Sequence, residues 1–464
     1  MTDSSQLMPN GNTAVSSDCL FNLKPISVSG RTYRASIPTS NKATFNPGDT
    51  AILYIPSRRN CFLDPTQSYI KYTIQNWDTT NDTSIDNTGA CVINRLDTFS
   101  GSNLLETVQQ YNVLYNYMAD FQMNLGARYG ASSMYGSGIT TTVVNIRQGA
   151  NISKASGASA PTKLTVCMPV LSAVFGLGAD KFLPLTALAD DIRIEISFEQ
   201  ADMGMVYSSA SSTSSARTAW QVAGMELELC IIELSDQGMG IVNSVTPFNQ
   251  PIFLHGNGFR HYVSTLPVSS SGTYSTLVPA RFASLKTLIC LPRRSAETSG
   301  STTMPFSYSL SSRANPNFAT YWWRIGPYLI PNKPVTLSNT SNTVGGYAEA
   351  YMEVIRSFHA LSHVDVGGTI SFEEYNVADT ADTTIASGVA GALGVAPISG
   401  NLLSNSSKNA FAIAQELELW ANRNDVLVSG MNTLSSQVFF EANINTAIGS
   451  TYSYTLDFYE FYNS

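Results

Sequence analysis

The sequence predicts an all-β protein of antiparallel sheets with a few short helices, and three observations carry that expectation. Apolar and polar residues alternate with period two along much of the chain, helical periodicity is scarce, and the connections are long and rich in small residues. The alternation is clearest in IRIEISFE, where Ile192, Ile194, Ile196 and Phe198 alternate with Arg193, Glu195, Ser197 and Glu199, a strand with one wet face. MELELCIIEL repeats it, with Met225, Leu227, Leu229 and Ile231 set against Glu226 and Glu228. SYIKYTIQNW, FASLKTLICL and the C-terminal TYSYTLDFYEFY add strands rich in aromatic and β-branched residues, which suit pleated surfaces.

Two segments carry helical periodicity. In SNLLETVQQYNVLYNYMADFQ, Asn103 is placed to cap a first turn with Glu106 three residues on, and Leu104, Leu105, Val108, Tyr111, Tyr115 and Met118 form a stripe. In YAEAYMEVIRSFHAL the stripe is Tyr351, Val354, Ile355 and Phe358. Both are expected as plugs over the end of a sheet or barrel. The connections 126–161, 203–217 and 376–408 are too long and too polar for buried turns. The first and last are expected to be exposed or to lie between subunits, and the apolar GVAGALGVAP at 388–397 is either a loop tip or an interface finger.

A chain of 464 residues exceeds what one hydrophobic core organises, so two domains of roughly 200 residues are expected. The series of elements up to Asp236 and the series from Pro251 onward are alike in order, which suggests two similar β units without visible identity between them. Charged residues make up only 13% of the chain against about 25% in an ordinary soluble protein, so Ser, Thr, Asn and Gly supply its polarity. The net charge is 26 − 34 = −8 and no run of Lys or Arg exceeds two, which leaves a counterion-releasing nucleic-acid surface unsupported. The doublets Arg58–Arg59 and Arg293–Arg294 are expected as loop charges after strands.

The N-terminal segment is polar and lacks the charged and apolar regions of a secretory signal, and no apolar run approaches the roughly 18 residues that span a bilayer. A soluble protein made in a cytosol-like compartment is the expectation. Its six cysteines, Cys19, Cys61, Cys91, Cys167, Cys230 and Cys290, are widely spread without metal-ligand spacing and are expected as reduced, mostly buried thiols.

Signatures of catalysis are weak. The phosphate loop and the nucleophile elbow are missing; Gly256-Asn257-Gly258 lacks a third glycine, and 157–161 is a failed elbow. His359 and His363 share a helix face at i,i+4, but no glutamate or further ligand completes a zinc motif. His255 and His261 flank GNGFR in an expected loop, in structural or solvent-facing roles. The doublets Asp190–Asp191 and Glu373–Glu374 cannot by themselves face one cleft, because neighbours on a strand point to opposite sides. In NFATYWWRIGPY, Phe318, Tyr321, Trp322, Trp323 and Arg324 could stack sugars or bases, though a core strand with an aromatic plug is favoured. No catalytic, cofactor-binding or metal residues are assigned, no cofactor is expected, and an enzyme is not expected.

Taken in series, FLDPTQSYIKYTIQN, RLDTFSGSNLLETVQQYNVLYNYMADFQ and MPVLSAVFGLGADKFLPLTALADDIRIEISFEQAD resemble a capsid protein. MELELCIIELSD, SLKTLICLPRR, SSRANPNFATYWWRIGPYLIPNKP, AYMEVIRSFHA and DVLVSGMNT continue in the order found in major capsid proteins of polinton-like viruses and virophages, from about Ala51 to Ser464. The resemblance implies two tandem eight-stranded jelly-rolls, a double jelly-roll, divided as an N-terminal arm 1–25, a first jelly-roll 26–240 and a second 241–464. It further implies a homotrimer forming a pseudo-hexameric capsomer that tiles an icosahedral shell around double-stranded DNA, placing the protein in the virion capsid after synthesis in host cytoplasm or a viral factory. Neighbouring capsomers, penton proteins and minor capsid proteins are the implied partners, without direct specific nucleic-acid binding. The very long tower insertions of large-virus relatives are missing, which leaves the height of any tower open. The rival expectation is a carbohydrate-binding or adhesive β-sandwich, such as a viral spike or lectin, and a secreted polysaccharide hydrolase is third. The lack of a secretion signal and of a disulfide framework counts against the carbohydrate-binding reading.

Overall fold

The computed structural model describes residues 29–79, 82–136, 149–157, 160–201, 203–207, 220–245, 254–267, 270–294, 310, 313–337, 347–358, 370, 375, 410–418, 429–445 and 453–463. In chain order the strands of the first half are β1 (Gly30–Pro38), β2 (Thr44–Phe45), β3 (Thr50–Ile55), β4 (Cys61–Asn76), β5 (Thr83–Ile85), β6 (Ile93–Ser100), β7 (Asn103–Gln109), β8 (Asn151–Ile152), β9 (Thr162–Pro169), β10 (Leu183–Pro184), β11 (Ile192–Phe198), β12 (Met205–Tyr207) and β13 (Trp220–Leu234). The second half holds β14 (Asn257–Leu266), β15 (Gly272–Val278), β16 (Leu285–Arg294), β17 (Phe318–Ile325), β18 (Tyr328–Thr336), β19 (Ile413–Glu416), β20 (Val438–Ile444) and β21 (Tyr454–Asn463). Short helices α1 (Tyr111–Phe121), α2 (Leu125–Gly130), α3 (Ser132–Tyr135), α4 (Asp236–Val245) and α5 (Ala348–Arg356) fill the connections.

The two halves share one topology. In the first, sheet neighbours run β1-β13-β4-β9 and β3-β11-β6-β7, with short β2 and β10 attached to the first sheet. In the second they run β14-β21-β16-β19 and β15-β20-β17-β18. Numbering the eight long strands of each half in chain order gives 1-8-3-6 facing 2-7-4-5 in both cases, which is the jelly-roll order. Every pairing between these strands is antiparallel.

Alternation builds the cores. Along β11 the residues of odd rank are buried and the rest half-buried, as the sequence pattern requires. Phe45 and Phe198 meet across the first sandwich with ring centroids 5.3 Å apart. In the second, Trp323 of one sheet lies 5.9 Å from Phe458 of the other, with Phe440 completing the cluster. The expected aromatic core strand is thus β17: Phe318, Tyr321 and Trp323 are buried. Trp322 and Arg324 point to the other face, where both donate to Glu441.

The helix expected from Asn103 onward is corrected in its first half. Asn103–Gln109 is strand β7, paired with β6 from Ser100↔Asn103 to Arg95↔Gln109 around a turn in which Gly101 has φ +57°. Helical spacing in this stretch is overridden by tertiary pairing: Glu106, rather than closing a capping box, is buried and accepts from Ser172 Oγ at 2.6 Å. Gln110 then takes a left-handed conformation at φ 49°, and the helix begins at Tyr111. The second helix forms as α5, with Val354 and Ile355 buried and Tyr351 and Phe358 packed on the core.

The described residues of the expected loop 126–161 include regular structure that its composition does not suggest. They contain α3, most of α2 and strand β8, and Arg128, Ala131 and Tyr135 are buried. The segments 376–408 and 388–397 lie outside the described residues.

Close approach of backbones joins the halves. Asn257 N donates to Gly178 O at 2.7 Å, Ala179 and Gly256 form an antiparallel bridge, and a Cβ at Gly256 would stand 2.3 Å from Ala173 O. Gly256→Ala is therefore expected to cost about 1–3 kcal/mol, the scale of an overpacked site. A lowered urea midpoint at unchanged slope would show it.

Candidate functional site

The densest buried polar chemistry among the described residues lies in and around the joint between the sandwiches. Helix α1 carries Asp120 into contact with Arg313 from the second half, Nη2 to Oδ2 at 2.7 Å, with both side chains fully buried. Asn87 Nδ2 donates to Asp120 Oδ1 at 3.1 Å, and Arg128 donates to Asn87 Oδ1. Leu310 N donates to Asp86 Oδ2 at 2.5 Å, a second tie across the halves. Aromatic rings seal this polar cluster. The Arg313 guanidinium sits 5.7 Å from the Tyr117 ring, and Phe358, just beyond α5, packs on Tyr117 and Phe121.

A second cluster lies on the outward face of the β14-β21-β16-β19 sheet. His261 Nε2 is 2.8 Å from Asp457 Oδ1, and Arg293 Nε donates to Oδ2 at 2.6 Å. Tyr459, two residues on and on the same face, lies against His261 and donates to Gln110 O of the first half at 2.8 Å. Burial pushes the Asp457 carboxyl up, but the Arg293 guanidinium and the hydrogen bonds to His261 and Arg293 more than offset it and hold it below the usual carboxylate range. Arg293 is thus not the loop charge that its doublet suggested. It ends a strand and neutralises a buried acid, whereas Arg58–Arg59 does follow β3, with Arg58 donating to Tyr33 Oη at 3.1 Å.

Two carboxyls are pushed the other way. Burial raises Glu106 to about 7 against the opposing hydrogen bonds from Ser172 and Ala173 N. Burial likewise raises Glu460 to about 7, opposed by Arg260, and neither Glu460 oxygen has a hydrogen-bond partner. Glu460 shares its face of β21 with Phe458 and so points into the second sandwich.

The residues singled out from sequence are not brought together. His255 is exposed in the connection before β14, while His261 is in that strand rather than in a loop. Asp190 and Asp191 are exposed, and Asp191 accepts from Ser57 N at 2.9 Å. His359, His363, Glu373 and Glu374 lie outside the described residues. Among the described residues no group of three or more His, Cys, Asp or Glu is placed to hold a metal ion, and no helix is long and apolar enough to cross a membrane. The five described cysteines are free thiols; Cys61, Cys91 and Cys290 are buried, Cys167 and Cys230 half-buried. Sequence reasoning missed Asp120, Arg313 and Asp457, each a lone charge in an apolar or polar stretch with no local pattern to mark it.

No family model and no curated protein matches the chain. Solved structures do. The PBCV-1 virus capsid matches at a TM-score of 0.55 and 11% identity, covering 96% of both chains. The Sputnik virophage structure matches at 0.54 and 10% identity, over 97% of this chain and 89% of that one. The mavirus major capsid protein matches at 0.52 and 8% identity, over 98% and 91%. Strand order, pairing and near-complete coverage agree: this chain has the double jelly-roll fold found in the major capsid proteins of those viruses.

Proposed function

We propose that this protein is a structural major capsid protein, in which three copies form a pseudo-hexameric capsomer that tiles an icosahedral shell around double-stranded DNA. The observation that carries the reading is the repeated jelly-roll order over both halves, matched along nearly the whole chain by viral capsid structures. Three chains with two sandwiches each offer six similar units around one axis, and a cyclic trimer closes without open-ended growth. The division into an arm 1–25 and jelly-rolls 26–240 and 241–464 belongs to the same reading. So do contacts with neighbouring capsomers, penton and minor capsid proteins, a place in the virion, and a role without catalysis.

Low charge supports it, since surfaces that meet copies of themselves gain from neutral Ser, Thr and Asn. Light scattering of the expressed protein is expected to give three times 50.1 kDa, with hexagonal outlines in negative stain. A monomer under all assembly conditions would sink the reading. With a net charge of −8, any affinity of the trimer for duplex DNA is expected to show a flat dependence on salt, measured as log K against log salt concentration.

A further inference from the structure

Of the thirteen exposed large apolar side chains among the described residues, six gather at one end of the molecule. Leu104, Leu105, Leu177, Phe182, Ile241 and Leu254 are 45–53% exposed. They belong to connections, to helix α4 or to the start of strand β7. At that end β3 finishes, β4 and β7 start, β13 runs into α4, and the 170–191 connection meets the start of β14. These segments touch one another: Glu106, next to Leu105, holds Ser172 and Ala173, and Gly178 meets Asn257.

The charge of this end is balanced. Arg31, Arg58, Arg59, Lys181 and Arg281 are set against Asp180, Asp190, Asp191, Glu233 and Asp236. Neither the phosphates of DNA nor an anionic lipid surface finds the net basic face that it would require. An apolar, nearly uncharged peptide does.

Such a peptide leaves from this end. Ser29 O accepts from Ser235 N at 3.0 Å, next to α4, and the residues before it read CLFNLKPISV from Cys19 to Val28, with Leu20, Phe21, Leu23 and Ile26 and the single charge Lys24. Ten residues reach at most about 33–36 Å when extended. Crossing three strands at roughly 4.8 Å each and one intersheet gap of roughly 10 Å lies within that reach. Tethering makes the encounter intramolecular, which favours it at any protein concentration.

We propose that residues 19–28 dock across the apolar end of their own chain, covering the exposed side chains around Leu104, Leu177 and Leu254. The inference does not require the capsid reading, because it concerns contacts within one chain, and trimer mass can be read on the same sample.

The test uses the full chain. A thiol introduced by Leu177→Cys is expected to form a disulfide with Cys19 under mild oxidation, within a single chain by mass spectrometry, and to lose that disulfide when Leu20→Asp and Phe21→Asp are added. Hydroxyl-radical labelling of Leu104, Leu105 and Leu254 is expected to be weak in the parent and to lose its protection in the Leu20→Asp/Phe21→Asp variant at unchanged melting temperature. Equal labelling in the two proteins, or a disulfide formed only between chains, would overturn the proposal.

Discussion

Asp120→Ala is expected to destabilise the protein by about 3–5 kcal/mol, the cost of removing one member of a fully buried ion pair. Asp120 and Arg313 have no exposed surface, so water cannot solvate the guanidinium once the carboxylate is gone. Asn87 loses an acceptor in the same step, and with it the link that runs on to Arg128. Because Arg313 belongs to the second half and Asp120 to the first, the loss falls on their joint as well as on either core. Replacing both partners, Asp120→Leu with Arg313→Met, is expected to recover part of the loss, since apolar groups of similar volume remove both buried charges together. Chemical denaturation of the three variants against the parent measures this. A single-variant cost below about 1 kcal/mol, the range of exposed ion pairs, would show that water reaches the pair.

Stability is expected to fall as pH rises from about 5 to about 8. Glu106 and Glu460 are both pushed up to about 7 by burial from an ordinary value of 4.5. Below 4.5 both carboxyls are protonated, folded or unfolded, and burial carries no ionic penalty. Between 4.5 and 7 the unfolded chain ionises first and binds fewer protons, so the folded state loses ground with rising pH, up to roughly 3 kcal/mol for each group. Asp457 works in the opposite direction: held below its ordinary value, it contributes stability that is lost only under strong acid.

Glu460→Gln separates the two carboxyls, since Glu460 has no hydrogen bond to lose while Glu106 holds Ser172 and Ala173. The variant is expected to melt higher than the parent at pH 8 and to halve the decline between pH 5 and 8. A decline of full size in the variant would show that Glu460 is hydrated and titrates normally.

The sheets were legible because strands leave a periodic trace. IRIEISFE and MELELCIIEL sit where their alternation put them, as β11 and the second half of β13. Even there one residue departs. Glu228, set on the wet face, is buried, its carboxylate lying 3.1 Å from Arg34 Nε on the neighbouring strand. The helix drawn from Asn103 was half right because i,i+3 and i,i+4 spacing in LLETV coincides with a strand pattern over so short a stretch, and pairing with β6 decides between them. The polar joint was not legible at all. Asp120 and Arg313 are 193 positions apart, Arg293 and Asp457 164, and no local spacing announces contacts of that range. Family resemblance supplied the jelly-roll order, which periodicity alone does not specify.

Strand β1 begins and strand β21 ends on the same side of the molecule: Gly30 pairs with Leu234, which leads into α4, and Asn463 pairs with Asn257 beside the 170–191 connection. A fluorescent protein fused after Ser464 would therefore hang from the side on which β1 begins, away from the end where β7 runs into α1. Purification handles therefore belong on that side.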